Sequence, residues 1–107
     1  MKTIPYHKLV RDRIPNIIRQ AGKTCVTYAA DPDEYLRLVD LKLREELDEY
    51  LASGSMEEMA DLLEVIHAAA AARGSSMEEV EQIRQRKKEA RGGFEKRIVL
   101  EEVREGE

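Results

Sequence analysis

Carboxylates are the residues of this chain with the clearest capacity for chemistry. Between Leu41 and His67 stand eight acids (Glu45, Glu46, Asp48, Glu49, Glu57, Glu58, Asp61 and Glu64) against two bases, Lys42 and Arg44, a local balance of −6. Between Arg84 and Arg97 the sign reverses, with seven bases against two acids and a balance of +5. Two opposite blocks in so short a chain suit two ligands of opposite charge. A divalent cation and a phosphate chain form such a pair.

Helical spacing sharpens the acidic block. At about 100° of rotation per residue, Leu36, Val39, Leu43, Leu47 and Tyr50 form one apolar stripe, and Met59, Leu62, Leu63, Ile66 and Ala70 form another. Glu46 and Glu49 fall on the margin of the first stripe, and Glu58 and Asp61 on the margin of the second. If the stripes face each other, two pairs of carboxylates converge at the edge of the core. Mutual repulsion and partial desolvation then raise their pKa values unless a cation neutralises them. Magnesium suits such a site, being a hard ion that takes oxygen ligands and keeps water and phosphate in its shell. The plain alternative is a solvated acidic face, with Glu58 serving only the capping box it forms with Ser55. His67 lies opposite its helix's apolar stripe and has no catalytic role in this reading.

The elements that must position these residues are also marked. Asp31-Pro32-Asp33-Glu34 combines an N-cap, a first-turn proline and a capping-box acid, so a helix should run from Pro32 to about Ala52 and stop at Ser53-Gly54. Ser55 with Glu58 starts a second helix reaching Arg73-Gly74, and Ser76 with Glu79 starts a third that ends near Arg91, before Gly92-Gly93. A short helix from about Pro15 to Ala21, stopped by Gly22, precedes them. Residues 24–28 and 97–103 carry the β-branched and apolar residues of short strands. The expected fold is mainly α, a helical hairpin plus a third helix in one domain over residues 1–107. So small a hairpin buries little apolar surface by itself, so a second copy is expected to complete the bundle.

Composition narrows the classes further. The chain has 107 residues, a net charge of −4, 37% charged residues, 5% aromatics and no tryptophan. An acidic, aromatic-poor chain is a poor binder of nucleic-acid polymers. The weakly polar stretch from Val65 to Ala72 is far shorter than the ~20 residues of a membrane span. Arg11, Asp12 and Arg13 break any signal-peptide pattern near the start. Cys25 is the single cysteine, which excludes an intrachain disulfide and a cysteine-built zinc site. A cytoplasmic protein is expected.

Glu45-Glu46-x-x-Glu49, followed after eight residues by Glu58-x-x-Asp61, resembles the signature of the all-α nucleoside triphosphate pyrophosphohydrolases, the MazG-like superfamily. The opening Tyr6-His7-Lys8-Leu9-Val10-Arg11-Asp12-Arg13-Ile14-Pro15 and the closing Arg91-Gly92-Gly93-Phe94-Glu95-Lys96-Arg97-Ile98 resemble its phosphoribosyl-ATP pyrophosphohydrolase-like branch. The resemblance implies that Glu46, Glu49, Glu58 and Asp61 are magnesium ligands, with manganese a possible substitute. It makes Glu45 an accessory carboxylate that holds a second ion or orients the attacking water, so Glu45, Glu46 and Glu49 form the catalytic set. The family's basic position on the third helix falls on Lys87, with Arg91 one turn later, and His7 stands where many members of the branch carry Asn. The short spacer requires a tight turn over Ser53 to Ser55.

The activity so implied is hydrolysis of a nucleotide to a monophosphate and pyrophosphate. Water must attack phosphorus in line, and metal ions can hold the polyphosphate, polarise its oxygens and lower the pKa of a bound water. Such chemistry rests on positioning and charge neutralisation rather than on a covalent nucleophile. Lys87 and Arg91 would bind the departing pyrophosphate, and Lys8 and Arg11 another part of the substrate. Tyr6 and Phe94 are candidates for stacking on a base or, more plainly, for core filling. Three functions stay open: a house-cleaning nucleotide pyrophosphohydrolase, the phosphoribosyl-ATP pyrophosphohydrolase of histidine synthesis, and a non-catalytic helical module that dimerises. The partners expected are a nucleotide and a second copy of the chain, as a dimer or a dimer of dimers.

Overall fold

The two longest helices begin where a side chain caps their first turn. The computed structural model describes residues 2–4 and 6–106. Four helices follow in order: α1 (Ile14–Gln20), α2 (Pro32–Ser53), α3 (Met56–Ala72) and α4 (Met77–Arg91). The Asp31 carboxylate accepts from the Glu34 N–H at 2.8 Å, and the Ser55 hydroxyl accepts from the Glu58 N–H at 3.2 Å. Each bond satisfies an N–H that the helix itself leaves without a partner. At the other ends, α1 and α3 close with paired return bonds. The Lys23 N–H reaches the Ile18 carbonyl and that of Gly22 reaches Arg19, while Ser75 and Gly74 do the same onto Ala70 and Ala71.

The chain divides into two compact units, one ending at Met77 and the other beginning at Glu78. In the first, α2 and α3 pack against each other as a helical hairpin. The turn between them is Gly54-Ser55. Gly54 takes the left-handed conformation, φ +65°, and donates its N–H to the Tyr50 carbonyl at 2.7 Å. Near the open end, Arg73 pairs with Asp40 at 3.0 Å. In the second unit, α4 carries an exposed ion pair in which Arg84 donates to both carboxylate oxygens of Glu81.

The covered faces differ from the expected stripes. On α2, Val39 and Glu46 are buried and Leu43 and Tyr50 half-buried, a spacing of four, three and four residues. On α3 the half-buried positions include Glu58, Leu62, Val65, Ala69 and Ala72, which alternate in the same way. This alternation is the pattern of a seam between two packed helices. Leu47, Met59 and Leu63, expected in the core, are exposed. The reason is geometric: an apolar stripe of three or four residues per two turns is wider than one neighbouring helix can cover. Glu46 therefore sits within the seam and not on its margin, and Val39 is the one hydrophobic residue fully buried among the described residues.

Both expected strands are absent, since no strand occurs among the described residues. Residues 24–28 are irregular. Strand-forming composition is not enough there, because a ladder needs a partner and the segment has none. Its Tyr28 hydroxyl instead donates to the Glu34 carboxylate at 2.9 Å. At the second site Arg97 adopts φ +56° and its N–H returns to the Phe94 carbonyl at 3.1 Å, so a turn replaces the first residue of the expected run. No helix is long and apolar enough to cross a membrane among the described residues.

An added Cβ at Gly54 would meet no atom within 4 Å, so any penalty there comes from the backbone alone. Gly54→Ala should lower stability by about 1 kcal/mol in urea denaturation, the usual cost of forcing an L-residue into the left-handed region.

Candidate functional site

Three of the four carboxylates expected to bind metal come together. Glu46 on α2 and Glu58 and Asp61 on α3 each offer an oxygen within 4.8 Å of the others. The hairpin turn creates this meeting: α2 brings Glu46 into the seam two turns before its end, and α3 brings Glu58 and Asp61 in its first turns. The Ser55 cap that starts α3 also sets the height of Glu58, but only half of the expected capping box forms: the Ser55 N–H donates to the Ser53 hydroxyl at 3.1 Å, not to the Glu58 carboxylate.

Glu46 is the unusual member. It is only 7% exposed, and its Oε2 has no hydrogen-bond partner. A buried carboxylate oxygen without a partner forfeits its hydration for nothing in return. The Lys42 ammonium stands 3.5 Å from the other oxygen, Oε1. Burial pushes the Glu46 carboxyl above the usual range, the neighbouring Glu49 carboxylate pushes it further, and Lys42 offsets only part of the rise. Glu49 is thus beside Glu46 electrostatically, but it is exposed and outside the three-residue cluster.

Glu45 behaves oppositely. Partial burial pushes its carboxyl up, yet Lys8 and Lys42 outweigh burial and hold it below the ordinary range. Lys8 lies 3.1 Å from Glu45 Oε1, and Lys42 lies 3.4 Å from Oε2. Arg11 donates to Asp61 Oδ1 at 2.8 Å. Lys8 and Arg11, two of the four cations expected to touch substrate, line an open cleft that also includes Lys42, Glu46 and Asp61. Lys87 and Arg91 are exposed on α4, in the second unit. Tyr6 and Phe94 are exposed too, so neither fills a core, and the Lys8 ammonium lies 5.7 Å from the Tyr6 ring centroid.

Sequence reasoning overlooked Lys42. It precedes Glu45 by three residues and Glu46 by four, and that spacing alone predicts helical ion pairs with both. The pairing of Arg11 with Asp61 joins residues 50 positions apart and has no local signal.

The donor set fits a hard divalent cation. Three carboxylates converge, all their donors are oxygen, and one buried oxygen lacks any other partner. No family model matches the chain, and no solved structure matches it. An uncharacterized protein of Mycolicibacterium smegmatis is 44% identical over 50 residues, which are 47% of this chain and 51% of that protein. The chain matches about half the length of this relative, whose description states no function.

Because Glu46 holds its proton more tightly folded than unfolded, its contribution to stability falls as pH rises above the ordinary carboxylate range. Glu46→Gln should accordingly raise the melting temperature at neutral pH in chelator-treated buffer. The gain should vanish in acid, where the wild-type carboxyl is protonated in both states. Melting curves of both proteins from pH 4 to 8 test this.

Proposed function

We propose that this chain is a Mg²⁺-dependent nucleotide pyrophosphohydrolase that cleaves the α–β phosphoanhydride of a nucleoside triphosphate or related nucleotide, giving a monophosphate and pyrophosphate. The observation that carries the reading is the buried, unpartnered Oε2 of Glu46 beside Glu58 and Asp61, with Lys8 and Arg11 along the same cleft. The resemblance of these residues, and of the opening and closing strings, to the MazG-like superfamily supports it from the side of sequence.

In this reading Glu46, Glu58 and Asp61 hold the ion, and Glu49 joins by turning its exposed side chain toward its neighbour. When bound, Mg²⁺ supplies charge neutralisation at phosphate oxygens and lowers the pKa of a coordinated water. Glu45 stays ionised at neutral pH, because Lys8 and Lys42 favour its charged form, so its carboxylate can accept a hydrogen bond from the attacking water and orient it. Lys42 is the fixed counter-charge of the site, its side chain only 17% exposed and its ammonium near both Glu45 and Glu46. Arg11 and Lys8 meet phosphate oxygens through charge-assisted hydrogen bonds. Lys87 and Arg91 enter as pyrophosphate ligands through the resemblance.

Screening ordinary and modified nucleotides for pyrophosphate release, with Mg²⁺ and with Mn²⁺, tests the activity. Asp61→Ala and Glu49→Ala should each abolish release, a loss of at least about a hundredfold, while circular dichroism keeps its helical signal. Wild-type turnover in both variants would remove the metal assignment and leave the non-catalytic module.

Self-association belongs to the same reading. Leu47, Leu51, Met59 and Leu63 are exposed on the hairpin. By helical rotation they share the side opposite Glu45, Glu49 and Asp61, so a second copy can pair there without blocking the acidic cluster. Sedimentation should show a dimer or larger assembly, and replacing Leu47 and Leu63 together with Glu should dissociate it.

A further inference from the structure

Three cations stand in the acidic cluster, and they are not held alike. Lys42 projects from the middle of α2, and its side chain is only 17% exposed, so the helix itself keeps it beside Glu45 and Glu46. Lys8 and Arg11 come from a segment outside any helix, and their side chains are 41% and 57% exposed. That segment is anchored where the Ile14 N–H returns to the Arg11 carbonyl at 3.0 Å. Arg11 donates to Asp61, one of the three clustered carboxylates, and Lys8 holds Glu45 on the preceding helix. The segment therefore ties both helices of the hairpin, on α3 through a carboxylate of the cluster and on α2 through the neighbouring Glu45.

We propose that the segment from Lys8 to Arg11 is a displaceable cationic strap: Arg11 holds Oδ1 of Asp61 as an internal counter-ion, and a divalent cation competes with it for that carboxylate. The proposal rests on the metal reading of the cluster. An exposed ion pair holds its partners weakly, so the strap lowers cation affinity without preventing binding. Competition for one carboxylate is reciprocal, so the ion loosens the strap as much as the strap weakens the ion. Lys42 stays in place throughout and shields Glu45 and Glu46 from each other.

The experiment titrates Mn²⁺ into wild type, Arg11→Gln and Arg13→Gln, reading free ion by electron paramagnetic resonance. It also measures hydrogen exchange over residues 6–12 with and without saturating Mg²⁺. Arg13 lies two residues beyond the strap, at the N-cap position of α1, and has the same charge, which controls for a general change in net charge. Arg11 is exposed, so its replacement leaves the hairpin folded. Arg11→Gln should bind Mn²⁺ about two- to fivefold more tightly than wild type, the range set by one exposed ion pair, while Arg13→Gln should match wild type. Mg²⁺ should speed exchange over 6–12 in wild type. If wild type binds the ion and Arg11→Gln binds no more tightly, if Arg13→Gln gains equally, or if exchange is unchanged, the strap is overturned and the metal site stands. If none of the three proteins binds Mn²⁺, the metal site falls and the strap with it.

Discussion

A carboxylate occupies a seam position of the α2–α3 hairpin where an apolar side chain would ordinarily go. Glu46 stands in series with Val39, Leu43 and Tyr50, and packing alone would favour Leu or Met there. An ionised group in that place is desolvated, and the seam supplies it one lysine and an oxygen with no partner. The neighbours are intelligible from this single fact. Lys42 lies one turn before it, Glu58 and Asp61 approach from α3, and Lys8 and Arg11 reach in from outside the helices. Each adjusts the electrostatics of a charge placed where folding by itself would not put one. Local rules of packing are most often broken at functional sites, and here the break is deepest at Glu46, with half-buried Glu58 facing the same seam from α3.

The sequence spells out where helices begin and end far better than which way they face. The Asp31 and Ser55 caps and the stops at Gly22, Gly54 and Gly74 depend on bonds between residues a few positions apart, so their residue types announce them. Facing is a matter of partners. Leu47 and Met59 belong to regular apolar stripes, yet they remain exposed because the hairpin offers each helix one neighbour. Strands fail for the same reason at residues 24–28, since composition cannot say whether a ladder partner exists.

The candidate site divides along the same line. Glu46, Glu58 and Asp61 could be picked out because helical spacing places them near the stripe edges and a short turn apposes the two helices. Their actual depth could not, since a rotation of one residue separates a margin from a seam. Lys42 was legible by spacing and carries a role that charge counting hid. Arg11 was not: its tie to Asp61 spans a helix, a loop and a second helix, and only the fold reports it. Lys87 and Arg91 rest on resemblance, being exposed on a helix of the other unit.

The brevity of the connection at Gly54-Ser55 has a consequence for how such a chain can vary. Surface loops ordinarily absorb extra residues with little effect. Here the N-cap follows the left-handed glycine directly, and the Ser53 and Ser55 side chains bond across the corner at 3.2 Å, leaving no slack. One residue added between Ser55 and Glu58 would turn the acids of α3 by about 100° and advance them about 1.5 Å, out of phase with Glu46. Length in this corner is therefore a chemical parameter, and tolerated insertions should cluster in the irregular stretch before Asp31 instead.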